Sequence, residues 1–206
     1  HLTAIAAKMR LQQLDLRCES FIDNLLSMRY LHIISVLILF LTISCNKDDD
    51  QTPLENLPPV TQIGAQTFGC LINGEAFVPP LFGTNSPDAF YQFVRGAYTF
   101  DISGSINKNG KLNTIGIAGI DVEPLEEKTY ILIEKGSGNH FGQYLIIDGG
   151  LLFDGATSME KSGKLFIDHL DEEKGIISGR FEFTLFDDDG NEFKITDGRF
   201  DMNYTN

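Results

Sequence analysis

Six Asn-Gly or Asp-Gly pairs, at 73-74, 109-110, 148-149, 154-155, 189-190 and 197-198, punctuate the last two-thirds of this 206-residue chain. Asn, Asp and Gly tolerate the positive φ that a tight hairpin demands, so each pair is a candidate strand-to-strand turn. The runs between them repeat every two residues. Phe200, Met202 and Tyr204 alternate with Arg199, Asp201 and Asn203; Phe181, Phe183 and Leu185 alternate with Glu182 and Thr184; Tyr98, Phe100 and Ile102 alternate with Thr99, Asp101 and Ser103. That period puts one face of a strand in a core and the other in water. Runs that are apolar on both phases (130–133, 144–147 and 151–153) predict central strands covered on both sides.

Over residues 66–206 no stretch shows a sustained 3.6-residue period between caps, so helix there is limited to a turn or two near 156–160. The expectation is one all-β domain over residues 66–206, an antiparallel sandwich or barrel-like meander of about 8–10 strands. Sequence does not choose between those closures.

Upstream, Met28-Arg29-Tyr30 opens a basic start, residues 31–43 are mostly apolar, and Ser44-Cys45 follows. The apolar run is shorter than the ~20 residues of a membrane span but fits a signal-peptide core. Residues 28–44 are therefore expected to be a lipoprotein signal peptide and Cys45 its lipidated residue, joined to the membrane by acyl chains. The segment Leu41-Thr42-Ile43-Ser44-Cys45 resembles a lipobox, with Thr42 where leucine is usual. Residues 1–27 are read as an over-called upstream extension, and residues 45–65, acidic and then Pro-rich, as the lipidated cysteine and a flexible tether.

The chain carries 16 Lys+Arg against 29 Asp+Glu, a net charge of −13. That sign argues against nucleic acid, whose phosphates need a basic footprint, and against electrostatic adhesion to anionic lipid. Cys70 is the only cysteine after Cys45, so no internal disulfide is available and the thiol reads as a small core hydrophobe.

The strongest constellation is Asp187-Asp188-Asp189-Gly190-Asn191-Glu192. Carboxylates around a glycine bend suit a hard cation, which makes Asp187, Asp189 and Asn191 candidate calcium ligands. The spacing departs from the twelve-residue calcium loop, so a plain hairpin turn competes with that reading, and no other cofactor is expected. Asp168-His169-Leu170-Asp171 sets a histidine beside carboxylates, either as a ligand or base or as the polar end of a strand. Residues 136–142 are Gly-rich but precede no helix, which excludes a phosphate cradle and suggests a mobile loop. No nucleophile–base pair stands out, so catalytic residues are not assigned and a hydrolase ranks last. A binding or structural module ranks first, and a calcium- or small-ligand-binding barrel second.

Residues 64–79, where Phe68-Gly69-Cys70-Leu71-Ile72 leads through Asn73-Gly74 to Phe77 and Pro79, resemble the opening of a family of small Bacteroidota lipoproteins. Residues 177–184 and 195–201 resemble how such proteins close. The family is one of unknown function, so the resemblance implies an all-β envelope protein and transfers no catalytic residue. It also implies that Asn46-Lys47-Asp48-Asp49-Asp50 is an export signal to the outer face of the outer membrane.

Overall fold

Alternation sets the inward side of each long strand. Phe100 and Ile102 on one, Ile115 and Ile117 on the next, and Phe181, Phe183 and Leu185 on a third are buried, and the alternate residues take the opposite side, where Glu182 and Phe186 are exposed while Gly116 and Ala118 are covered. A computed structural model describes residues 52–205. Eleven strands follow in chain order: β1 (Thr67–Ile72), β2 (Glu75–Phe77), β3 (Asp88–Val94), β4 (Ala97–Lys108), β5 (Lys111–Val122), β6 (Thr129–Leu132), β7 (Asn139–Ile147), β8 (Leu151–Ala156), β9 (Gly163–Asp171), β10 (Ile176–Phe186) and β11 (Glu192–Asn203). The all-β expectation holds. The strands form a single sheet in the order β2-β1-β11-β10-β9-β6-β7-β5-β4-β3, with β8 added to β7.

The expected count of about 8–10 strands is therefore low, because β2, β6 and β8 are short and leave little periodic signal. The sheet is not wholly antiparallel either: β6 meets β7 in a parallel bridge, Leu132 with His140. It rolls around one core without closing as a ladder. Thr205 follows β11 and bridges Phe90 of β3, donating its N–H to the Ala89 carbonyl and accepting from the Tyr91 N–H. No helix occurs among the described residues; at 156–160, Thr157 is buried and Ser158 accepts the Lys161 N–H in a turn.

Of the six Gly-containing pairs, four lie in hairpin turns and two do not. Asn73-Gly74 and Asn109-Gly110 have positive φ at both residues, as a type I′ hairpin needs. Asp154-Gly155 lies inside β8. Asp197-Gly198 lies inside β11, which carries one extra residue there relative to both β1 and β10. That bulge, with Asp197 at φ 53°, brings Gly198 against the Phe181 ring, where a Cβ would have no room. The β3–β4 turn is Arg95-Gly96, also positive at both φ values, a pair that turn chemistry alone does not flag.

Two of the runs read as covered on both faces are not. Ile131 is half exposed, and Leu151 and Leu152 on β8 are 63% and 56% exposed. No second layer packs on the outside of the sheet at these residues, so they meet solvent.

The stretch at 57–65, expected as part of a flexible tether, is held against the strands. The anchor is Asp201, 1% exposed. Its carboxylate accepts the Thr61 hydroxyl at 2.6 Å and the Ile63, Gly64 and Ala65 N–H groups at 3.0, 2.8 and 3.2 Å, together with the Ser178 hydroxyl at 2.7 Å. Leu57 is buried beside this strap.

Close approach also fixes Gly179, where a Cβ would collide with the Phe166 carbonyl oxygen and the Phe200 ring. Gly179→Ala is expected to destabilise by about 1–3 kcal/mol, whereas Gly150→Ala, which meets open space without a positive φ, stays within about 0.5 kcal/mol. Denaturant melts of the two variants check this, and equal midpoints would contradict it.

Candidate functional site

The β1–β2, β4–β5 and β10–β11 turns gather at one end of the roll with the start of β8. Between them lies an open cleft of about 580 Å³, lined by Lys108, Asn113, Phe153, Asp154, Asp188 and Phe193 among others. A recess of about 230 Å³ continues it past Lys108, Asn113 and Phe193 to Tyr144 and Glu75. Its aromatic floor packs edge to face: Tyr144 lies 5.8 Å from Phe153 and 5.3 Å from Phe193, ring centre to centre. Phe153 and Phe193 are 5.0 Å apart.

One buried polar pair interrupts that floor. Asn113 accepts the Tyr144 hydroxyl at 2.7 Å and donates to the Lys111 carbonyl at 2.9 Å. Burial pushes the Tyr144 phenol up, so it serves as a neutral donor rather than a base. The rim is charged on both sides. Lys108 pairs with Glu75 at 2.7 Å beside Lys111, and Asp154, Asp188 and Asp189 stand opposite.

The predicted cation ligands fall on this rim, in one turn. Asp187 Oδ1 accepts the Asp189 and Asn191 N–H groups at 3.1 and 2.7 Å, and Oδ2 accepts the Asn191 side-chain amide at 2.8 Å. The Asn191 hydrogen bonds hold the Asp187 carboxyl below the ordinary carboxylate range. Both of its oxygens thus serve the hairpin. Among the described residues, no group of three or more His, Cys, Asp or Glu side chains is arranged to hold a metal.

The remaining candidates lie apart from the cleft. Asp168 forms a two-point pair with Arg180 at 2.8 and 2.9 Å, and His169 meets Glu127 at 3.2 Å. Cys70 is fully buried, and that burial pushes its thiol far above the ordinary range. The Gly-rich loop is tied down rather than free: Ser137 donates to Asp121 and the Gly138 N–H to the Ile120 carbonyl. His140 packs 4.5 Å from Tyr130 with its buried Nε2 unpartnered, and burial followed by the charge of Lys128 lowers its pKa to about 4. Cys45, the signal peptide at 28–44 and residues 1–27 lie outside the described residues.

Sequence reasoning missed the floor. Asn113 carried a signal, since it is the polar member of the inward phase Asn113, Ile115, Ile117 on β5. Tyr144, Phe153 and Phe193 carried none, because a core aromatic and a cleft aromatic share the same alternation. A second hollow of about 450 Å³ was equally hidden. There Tyr91 stacks on Tyr98 at 4.9 Å, beside Tyr204, Glu172 and a Phe93 that is 63% exposed. Comparison of the chain with protein-family models, with curated proteins and with solved structures gave no match.

Proposed function

We propose that this chain is a non-catalytic binding domain of the cell envelope, anchored by acyl chains on Cys45 and holding its ligand in the hairpin-end cleft. The observation that carries the reading is the aromatic floor of Tyr144, Phe153 and Phe193 with its single oriented polar pair. The floor is aromatic and the rim polar and charged, so the cleft offers a ligand an apolar face together with hydrogen-bonding and ionic groups. The basic start, short apolar core and Ser44-Cys45 support lipidation. The resemblance to small Bacteroidota lipoproteins and the acidic run after Cys45 support display on the outer face of the outer membrane.

Calcium binding by Asp187, Asp189 and Asn191 is the second reading, and it requires Asp187 to exchange its turn hydrogen bonds for a cation. Thermal melting of the full chain in detergent, against divalent cations, neutral glycans and small apolar ligands, separates the two. A ligand at a hundred times its Kd stabilises by about 2.7 kcal/mol, or about 5–10 °C here. A glycan or apolar shift that Phe153→Ala and Phe193→Ala reduce supports the cleft. A calcium shift lost in Asp187→Asn moves the site to the turn. No shift with any probe overturns the small-ligand form of the reading.

A further inference from the structure

The cleft continues sideways into a gap in the sheet. β10 pairs with β9 only as far as Glu182, which faces Lys164; beyond it, residues 183–186 pair with β11 alone. β8 pairs with β7 alone. The two unpaired edges face each other across the cleft, which touches Leu152, Phe153 and Asp154 on one side and Phe186 on the other.

The direction of the free groups follows from antiparallel alternation, in which every second residue exchanges both its hydrogen bonds with one neighbour. The Thr157 N–H bonds the Gly142 carbonyl, so Gly155 and Phe153 also turn their backbone groups toward β7, and Ala156 and Asp154 turn theirs away; the register slips between Phe153 and Leu151, where this alternation stops. The Asp187 N–H bonds the Asn191 carbonyl, so Leu185 turns toward β11 while Phe186 and Thr184 turn away. Among the described residues, the ladders give these positions no second strand neighbour, and no turn or loop backbone bonds them. Unpaired backbone along an edge is a template for another strand.

We propose that an extended peptide adds as a strand at the open end of this seam, along the β8 edge at Asp154 and opposite Phe186 of β10. This deepens the cleft reading and rests on it. Strand addition draws affinity from the main chain and specificity from alternate side chains. One set of side chains would enter the aromatic floor at Phe153 and Phe193, favouring apolar residues. The other set would lie among Leu152, Phe186, Asp154, Asp188 and Asp189. Lys108 is paired with Glu75, and Asp154, Asp187, Asp188 and Asp189 outnumber Lys111, the other lysine of the lining, so basic residues fit these walls. The ligand is therefore an extended segment that alternates apolar with basic residues.

The test is amide NMR of the full chain in detergent, titrated with an acetylated and amidated six-residue peptide of alternating valine and lysine. Saturable shifts at the Asp154, Thr184 and Phe186 amides are expected. The same peptide N-methylated at alternate residues, which removes its donors along one edge, is expected to bind at least about tenfold weaker, the loss of one or two net hydrogen bonds. Equal binding of the two peptides, with shifts confined to Tyr144, Phe153 and Phe193, overturns strand addition and leaves the cleft reading intact. No shift at any amide overturns strand addition, and the small-ligand melts then decide the cleft separately. Seam amides already protected in the free chain, with a sedimentation coefficient that rises with concentration, assign the seam to a second copy and overturn the peptide as occupant.

Discussion

Asp201→Ala is expected to lower stability by about 3 kcal/mol or more, a fall in Tm of about 6–12 °C. The carboxylate accepts three backbone N–H groups and two hydroxyls, and each donor left unpaired in a buried place costs about 1–3 kcal/mol. The strap at 61–65 can then peel into water, which relieves part of that cost and exposes the strap. Limited proteolysis near Val60 should accordingly become fast in Asp201→Ala while the strands resist. Asp201→Asn keeps one acceptor but aims an amide at donors, so it should fall between the two.

The pH dependence of the wild-type chain follows from the same group. Burial alone would raise the Asp201 pKa, but hydrogen bonds from Thr61, Ile63, Ser178 and Gly64 outweigh it and hold the value at about 2, against 3.8 for a free carboxyl. The unfolded chain therefore takes up this proton first. The contribution is complete above pH 3.8 and is lost as pH falls through 2. His140 acts at a higher range. Its folded pKa of about 4 lies below 6.5, so stability falls as pH drops from 6.5 toward 4. Asp101, pushed up by burial, works in the opposite sense. Denaturant midpoints across pH 2–7 should lose the lowest limb in Asp201→Asn and the upper one in His140→Phe. Unchanged profiles would contradict both assignments.

Phe181→Ala has the other large expected effect, about 3–5 kcal/mol. The ring is 2% exposed and lies 5.3 Å from Phe68, 6.0 Å from Phe183 and 6.4 Å from Phe200. It also fills the space over Gly198, so its removal leaves a cavity beside a bulge that cannot close it. Phe93→Ala removes the same atoms from a mostly exposed site and should stay within about 0.5 kcal/mol. Chemical denaturation of both variants decides whether aromatic packing inside the roll holds it together.

Strand interiors were legible because alternation is a local property: Phe100 and Ile102, or Phe181 and Phe183, declare their face within a few residues. What pairs with what is not local. The extra residue at Asp197 is defined only against β1 and β10, and the insertion of β6 between β9 and β7 depends on partners far along the chain. Asp201 shows the same limit. In sequence it is the polar member of an alternating run and reads as solvent-facing. Its burial comes from a strap about 140 residues earlier in the chain. Composition made that strap look like a tether, since proline and polar residues describe its lack of regular structure but not its hydrogen bonds. The acidic turn was found because its carboxylates are contiguous, whereas the floor it overlooks was assembled from β5, β7, β8 and β11.

The open seam between β8 and β10 is best tested by amide hydrogen exchange of the chain without ligand. The expected pattern is alternating: slow exchange at Phe153, Gly155 and Leu185, whose N–H groups are paired, and fast exchange at Asp154, Thr184 and Phe186, which lie in the same strands but face the gap. Uniform protection along both strands would mean that the edges are paired, and neither the cleft nor its peptide would then have a place to form.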